Sequence, residues 1–182
     1  MNEALLAAWG AWRLAHADAS GLTYFDRSID GFWRSFRAAI IVAPGYAVLV
    51  ALRYQAYPVT AGWPGIAAVE AIGYVIQWAA YPLVMEALCR RIGREREYVG
   101  YIAVYNWSAL LQVSAVLLAA GVERVLPGGL GAAVLYGVQL ALLLYSWFIA
   151  RLALNVGAVV AAGIVALDVV LSVLIEAATQ LH

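Results

Sequence analysis

The stretch Tyr98 to Gly121, YVGYIAVYNWSALLQVSAVLLAAG, carries no charged side chain and is about long enough to cross a bilayer, which takes roughly 20 apolar residues in a helix. It is two-faced. Tyr98, Tyr101, Tyr105, Ser108, Gln112, Ala115 and Ala119 recur at alternating three- and four-residue steps, so they share one side of a helix. Leu110, Leu111, Val113, Val116, Leu117 and Leu118 take the other side. In water the apolar side would face a core. In lipid the logic reverses, because hydrocarbon solvates the aliphatic side and leaves the small and polar side to face other helices. This one segment therefore predicts a membrane protein.

Four more apolar segments accompany it. The five run over about 37–53, 66–88, 99–121, 129–150 and 157–180. Pro44 and Pro82 lie inside the first two, where kinks are expected. The connections are short, and no linker or strong internal repeat divides the chain. The expected fold is all-α: an integral membrane helical bundle with five transmembrane helices and an N-terminal interfacial amphipathic helix. Residues 1–36 form the cytoplasmic or interfacial segment and residues 37–182 the bundle. Within the first segment Ser20-Gly21 separates two short helical candidates. In the second, residues 22–36, Phe25, Ile29, Phe32, Trp33 and Phe36 fall on one face, with Asp26, Arg27, Asp30 and Arg34 opposite. Aromatics on one side and charge on the other predict a helix lying along the inner membrane surface.

Composition excludes several classes. Of 182 residues 65% are hydrophobic and 12% charged, well beyond the roughly 45–50% apolar share of soluble domains. Mean hydropathy is +0.85. Net charge is zero, so no field recruits nucleic acid and no nucleic-acid partner is expected. One cysteine, Cys89, permits no internal disulfide, and His16 and His182 lack metal-ligand spacing; neither metal nor cofactor is expected. MNEALLAAWGAW has no basic start and only a short apolar run before Arg13, so no cleaved signal peptide is expected. There is no GxSxG, HExxH, P-loop or GxGxxG, and an enzyme is not expected. Every base is arginine, amid abundant Ala, Val, Gly and Leu, which fits a GC-rich bacterium.

Arginine placement sets the expected orientation. With the N-terminus cytoplasmic, that side holds Arg13, Arg27, Arg34, Arg37, Arg90, Arg91, Arg94, Arg96 and Arg151, against Arg53 and Arg124 on the other. Nine against two is a strong positive-inside bias. The expectation is a multi-pass protein of a bacterial inner membrane with its C-terminus in the periplasm. Arg90, Arg91, Arg94 and Arg96 form a basic loop suited to anionic lipid head groups, although anchoring the topology is a sufficient role for them.

The candidate site is a polar seam. The five midpoints are Tyr46, Gln77, Gln112, Gln139 and Asp168. Glu70, Tyr74, Gln77 and Tyr81 share a face in the second span. Tyr105, Ser108 and Gln112 do so in the third, Tyr136, Gln139 and Ser146 in the fourth, and Gly157, Ala161, Asp168, Ser172, Glu176 and Thr179 in the fifth. A central aspartate costs about 2.5–3.5 kcal/mol to insert. Asp168 is therefore expected to face inward and to bind a proton or a donor such as Tyr105, Gln112 or Gln139. Two readings follow. In one, the seam glues and registers the bundle of a non-enzymatic protein that acts as a scaffold or accessory partner in a membrane complex or homo-oligomer. In the other, Glu70, Asp168 and Glu176 line an outer cavity of a small proton- or cation-coupled transporter, narrowing among tyrosines toward the cytoplasm.

Asp30-Gly31-Phe32-Trp33, just before the first span, resembles the acidic, Gly- and Phe-Trp-containing stretch of the Yip family, five-span membrane proteins known in eukaryotes for contacting Rab-type GTPases. Tyr105-Asn106-Trp107-Ser108 resembles that family's Tyr-x-aromatic-Ser stretch in the third span. The layout is similar over residues 30–180, while the proline that usually precedes Phe-Trp is absent. The resemblance implies a bacterial relative with five spans and a cytoplasmic N-terminal segment.

Overall fold

The computed structural model describes residues 3–56, 62–127 and 129–180, and within them there is no strand. Helix α1 (Glu3–Ala15) leads through a 3-10 turn (Ala19–Tyr24) to α2 (Ile29–Ser35). Five long helices follow: α3 (Arg37–Ala56), α4 (Trp63–Arg91), α5 (Glu95–Val125), α6 (Gly129–Ala153) and α7 (Ala158–Gln180). All five are long and apolar enough to cross a membrane. They cover the five expected segments, with α4 and α5 extended by several residues. Pro44 and Pro82 sit inside continuous helices. Tyr57 and His182 lie outside the described residues, as does the side chain of Thr179.

The helices alternate in direction, so each end of the bundle collects a particular set of charges. One end gathers Arg37, Arg90, Arg91, Arg94, Arg96 and Arg151; the other has Arg53 and Arg124. The tight turns at the arginine-rich end have a common cause. Gly93 (φ +67) and Asn155 (φ +50) adopt the left-handed conformation, and the next amide bonds back five residues, Arg94 to Cys89 at 2.8 Å and Val156 to Arg151 at 3.1 Å. That 6→1 bond satisfies carbonyls the helix end leaves bare. At the opposite end α5 and α6 meet at Gly131, where a Cβ would stand 2.6 Å from the Glu123 carbonyl oxygen.

Helix α5 is the hub, packing against α1, α2, α3, α4 and α6, while α7 closes on α4 and α6. The buried core lies toward the arginine-rich end, around Tyr81, Met85, Cys89, Tyr101, Ile102, Trp107, Tyr145 and Ile149. The arginine-poor half is more open, and aliphatic side chains such as Ile72, Val75, Leu140, Val170 and Leu174 face outward there, as hydrocarbon allows.

The N-terminal segment departs from its expectation. Residues 22–36 are not one helix: a 3-10 turn ends at Tyr24, and α2 begins only at Ile29. Ser28 caps α2 by accepting from the Gly31 amide at 3.1 Å, and Asp26 accepts from the Ser28 amide at 3.0 Å. An N-cap serine before a short helix is a local signal strong enough to override the aromatic periodicity. The aromatic face also splits. Phe25 is buried and Phe32 packs on Tyr98 with centroids 5.9 Å apart, while Ile29 and Trp33 are exposed. Helix α1 buries Ala7, Gly10, Ala11 and Leu14 and presents Leu5, Trp9 and Trp12 outward. Glu3 and Arg34 tie α1 to α2 at 3.0 Å, and Arg34 also pairs with Asp26.

Asp18 fastens the α1 exit. Its carboxylate accepts from the Ser20 amide and hydroxyl and from Arg13 Nε at 2.7 Å. The Ser20 bonds, followed by the Arg13 bond, hold Asp18 below the ordinary aspartate value of 3.8, and Ser28 does the same for Asp26. A carboxylate held below its ordinary value contributes stability above that value and loses it as pH falls through its folded value. Amides of residues 16–28 are therefore expected to lose hydrogen-exchange protection once pH drops below 3.8, and Asp18→Ala to lose it already at neutral pH. Protection unchanged in both conditions contradicts this account of the turn.

Candidate functional site

The seam begins near the arginine-poor end with Glu70, the one buried acid among the described residues. A carboxylate there needs donors, because lipid offers none. Tyr46 donates to it at 2.7 Å and Tyr54 at 2.9 Å, both from α3. Arg53, also from α3, lies 3.6 Å from Glu70 and 3.0 Å from Glu176 on α7. One guanidinium thus joins three spans. Arg53 stands in the last turn of α3, three residues from its end, and Glu70 in the second turn of α4, seven residues from its start, so the long arginine side chain spans the difference in depth. Sequence analysis assigned Arg53 only to topology, because nothing in a single-helix pattern joins it to Glu70 and Glu176.

Deeper in, Gln77 on α4 donates to Ser172 on α7 at 2.9 Å, and Tyr74 donates to the Ala39 carbonyl at 2.6 Å. Tyr105 on α5 lies 3.0 Å from each carboxylate oxygen of Asp168 on α7. Tyr105 stacks on Tyr81 with centroids 4.2 Å apart, and the Tyr81 and Tyr101 hydroxyls share a hydrogen bond. Tyr98 closes the series by donating to the Pro82 carbonyl at 3.0 Å.

Two cavities follow this line. One of about 130 Å³ is lined by Arg53, Glu70, Gln77, Ser172 and Glu176 among others. A second of about 210 Å³ reaches Tyr105 and Gln112. Tyr46 and Gln77 line both, so these two side chains form the partition. Beyond Tyr105 the core of Tyr81, Tyr101, Met85 and Ile102 is buried.

Several seam residues do not fall where the sequence pattern put them. Asp168 is half-buried, and its donor is Tyr105; neither Gln112 nor Gln139 bonds to it. Gln112 lines the larger cavity instead. Gln139 is exposed on α6, next to an exposed Tyr136, because α6 buries the stripe through Gly131, Tyr145 and Ile149 and so turns that pair outward. Ser108 is buried but belongs to a different contact. It accepts from Tyr145 at 3.0 Å, and the Tyr145 hydroxyl is also 3.2 Å from the Ala11 carbonyl. That bond couples α1 to the bundle, and no periodicity argument reaches it.

In the basic loop, Arg90 pairs with Glu86, and Arg94 lies 3.8 Å from Glu97. These local carboxylates offset part of the charge assigned to lipid head groups. Arg91 closes α4 and Arg96 stands in the first turn of α5, on either side of the loop. Among the described residues no group of three His, Cys, Asp or Glu side chains could hold a metal ion.

The helices that carry the two stretches of the Yip resemblance, α2 and α5, pack on each other, through contacts beside those stretches. Phe32 lies on Tyr98, and Asn106 donates to Ser35 Oγ at 2.9 Å in a buried contact. Trp107 and Ser108 are buried beside it. In comparisons with family models, curated proteins and solved structures, the chain matches none of them.

Proposed function

We propose that this chain is a non-enzymatic five-span protein of a bacterial inner membrane, N-terminus cytoplasmic, that serves as a scaffold or accessory partner in a membrane complex. The observation carrying this reading is the closure of the seam upon itself. Tyr46, Tyr54 and Arg53 end on Glu70, Gln77 on Ser172, and Tyr105 on Asp168, each linking different spans. No buried side-chain nitrogen or oxygen among the described residues lacks a partner. Hydrogen bonds of this kind fix register and helix choice at modest strength. The packing of Asp30-Gly31-Phe32-Trp33 beside α5 agrees with a Yip-like N-terminal segment presented at the cytoplasmic face.

A double-mutant cycle tests the structural role of the centre. Tyr105→Phe and Asp168→Ala are expected to show a coupling energy of about 1 kcal/mol in detergent-titrated unfolding. A coupling of zero contradicts the structural seam.

The paired cavities meeting at Tyr46 and Gln77 favour a second reading, a small proton- or cation-coupled transporter entered from the arginine-poor side. The readings part on ion movement: the first expects none through the reconstituted protein, and the second expects flux that Asp168→Asn removes.

A further inference from the structure

A cleft of about 400 Å³ opens between α3 and α4. Its α3 wall is Ala43, Ala47, Val50 and Ala51; its α4 wall includes Ala67, Ala71 and Val75. Small side chains on both walls would let two helices touch, yet α3 packs chiefly on α5, and α4 on α7 and α5. The gap therefore stays open, and it lies within two candidate membrane spans.

We propose that this cleft binds one lipid acyl chain, from the leaflet that contains the α3–α4 connection. Three features select a lipid tail rather than a partner helix. The first is height. Ala43 to Ala51 spans eight residues, about 12 Å at 1.5 Å per residue, close to one leaflet's half of a hydrocarbon core roughly 30 Å thick. A second spanning helix needs a groove of full depth. The second feature is the floor. Tyr74 donates to the Ala39 carbonyl, and the Tyr46 and Tyr74 rings stand 4.8 Å apart, so the cleft is sealed at mid-membrane. The third is wall chemistry. The one acid that lines it, Glu70, is occupied by Tyr46, Tyr54 and Arg53, which leaves an apolar slot with nothing polar to offer. Trp63 marks the outer rim, where an indole suits the level of the head-group esters. The proposal rests on the membrane-spanning reading and is independent of whether the seam conducts.

The test reconstitutes the full chain in phosphatidylcholine containing a trace of the same lipid nitroxide-labelled midway along one acyl chain. Electron paramagnetic resonance then reads the motionally restricted fraction. Ala47→Phe and Ala67→Phe each place a ring in the slot and are expected to lower the number of restricted chains per protein by about one. Val48→Phe, on the exposed face one residue away, is expected to leave it unchanged, and helicity by circular dichroism should match wild type in all three. Equal restricted fractions in the slot variants and in Val48→Phe overturn the proposal. So does a disulfide dimer formed in bilayers by Ala47→Cys in a Cys89→Ala background, because a second copy then fills the cleft.

Discussion

Glu70→Ala is expected to destabilise the bundle by about 3 kcal/mol, the largest effect of any single seam substitution. Removing this buried carboxylate leaves the Tyr46 and Tyr54 hydroxyls without an acceptor and takes from Arg53 one of its two carboxylates. Arg53 keeps Glu176 at 3.0 Å, which places the cost at the low end for breaking a buried ion pair. Glu70→Gln retains shape and an acceptor oxygen and is expected to cost about half as much. Adding Arg53→Leu to Glu70→Leu should recover part of the loss, since replacing both partners by apolar groups removes a guanidinium that has lost one of its two carboxylates. Unfolding titrations in mixed micelles measure all four variants. Equal midpoints for Glu70→Ala and wild type contradict the role assigned to Glu70.

Gly31→Ala is expected to release the N-terminal segment without unfolding the spans. A Cβ at Gly31 would lie 2.1 Å from the Asp26 carbonyl oxygen and 2.8 Å from its side-chain carbon, so the Asp26–Ser28 turn must move. That movement breaks the Ser28 cap and the Asp26–Arg34 pair. Overpacking against backbone together with a lost cap costs about 3 kcal/mol, applied to a local unit rather than to the bundle. Trypsin cleavage after Arg27 should accelerate, while α3 to α7 keep their exchange protection. Unchanged cleavage at Arg27 contradicts the close fit at Gly31.

The five spans were legible because hydrophobic length is a property of each segment alone, and α3 to α7 begin and end near the predicted limits. Sequence analysis named Tyr105 as one of three possible donors to Asp168, because a mid-span acid has few alternatives to an inward donor; packing chose among them. Gln139 could not be placed that way. Its stripe with Tyr136 and Ser146 is regular, but the face α6 buries is decided by packing of Gly131, Tyr145 and Ile149 against neighbours that no single-helix pattern specifies. Residues 22–36 failed for the opposite reason. The aromatic periodicity was real, yet the Ser28 cap and the fit of Gly31 against Asp26 decided the backbone locally. Helix α1 was under-read as well. Its buried face is Ala, Gly and Leu, and the value of small residues at a close crossing is visible only once Gly10 meets Gly21.

The seam as a closed structural element is tested most directly by proton movement. The full chain is reconstituted in liposomes enclosing a pH-sensitive dye, and a potassium diffusion potential drives protons across the membrane. The structural account predicts that wild type and Asp168→Asn acidify at the rate of empty liposomes. Acidification above that rate in wild type, abolished by Asp168→Asn, contradicts it and assigns the cavities between Glu176 and Tyr105 to transport.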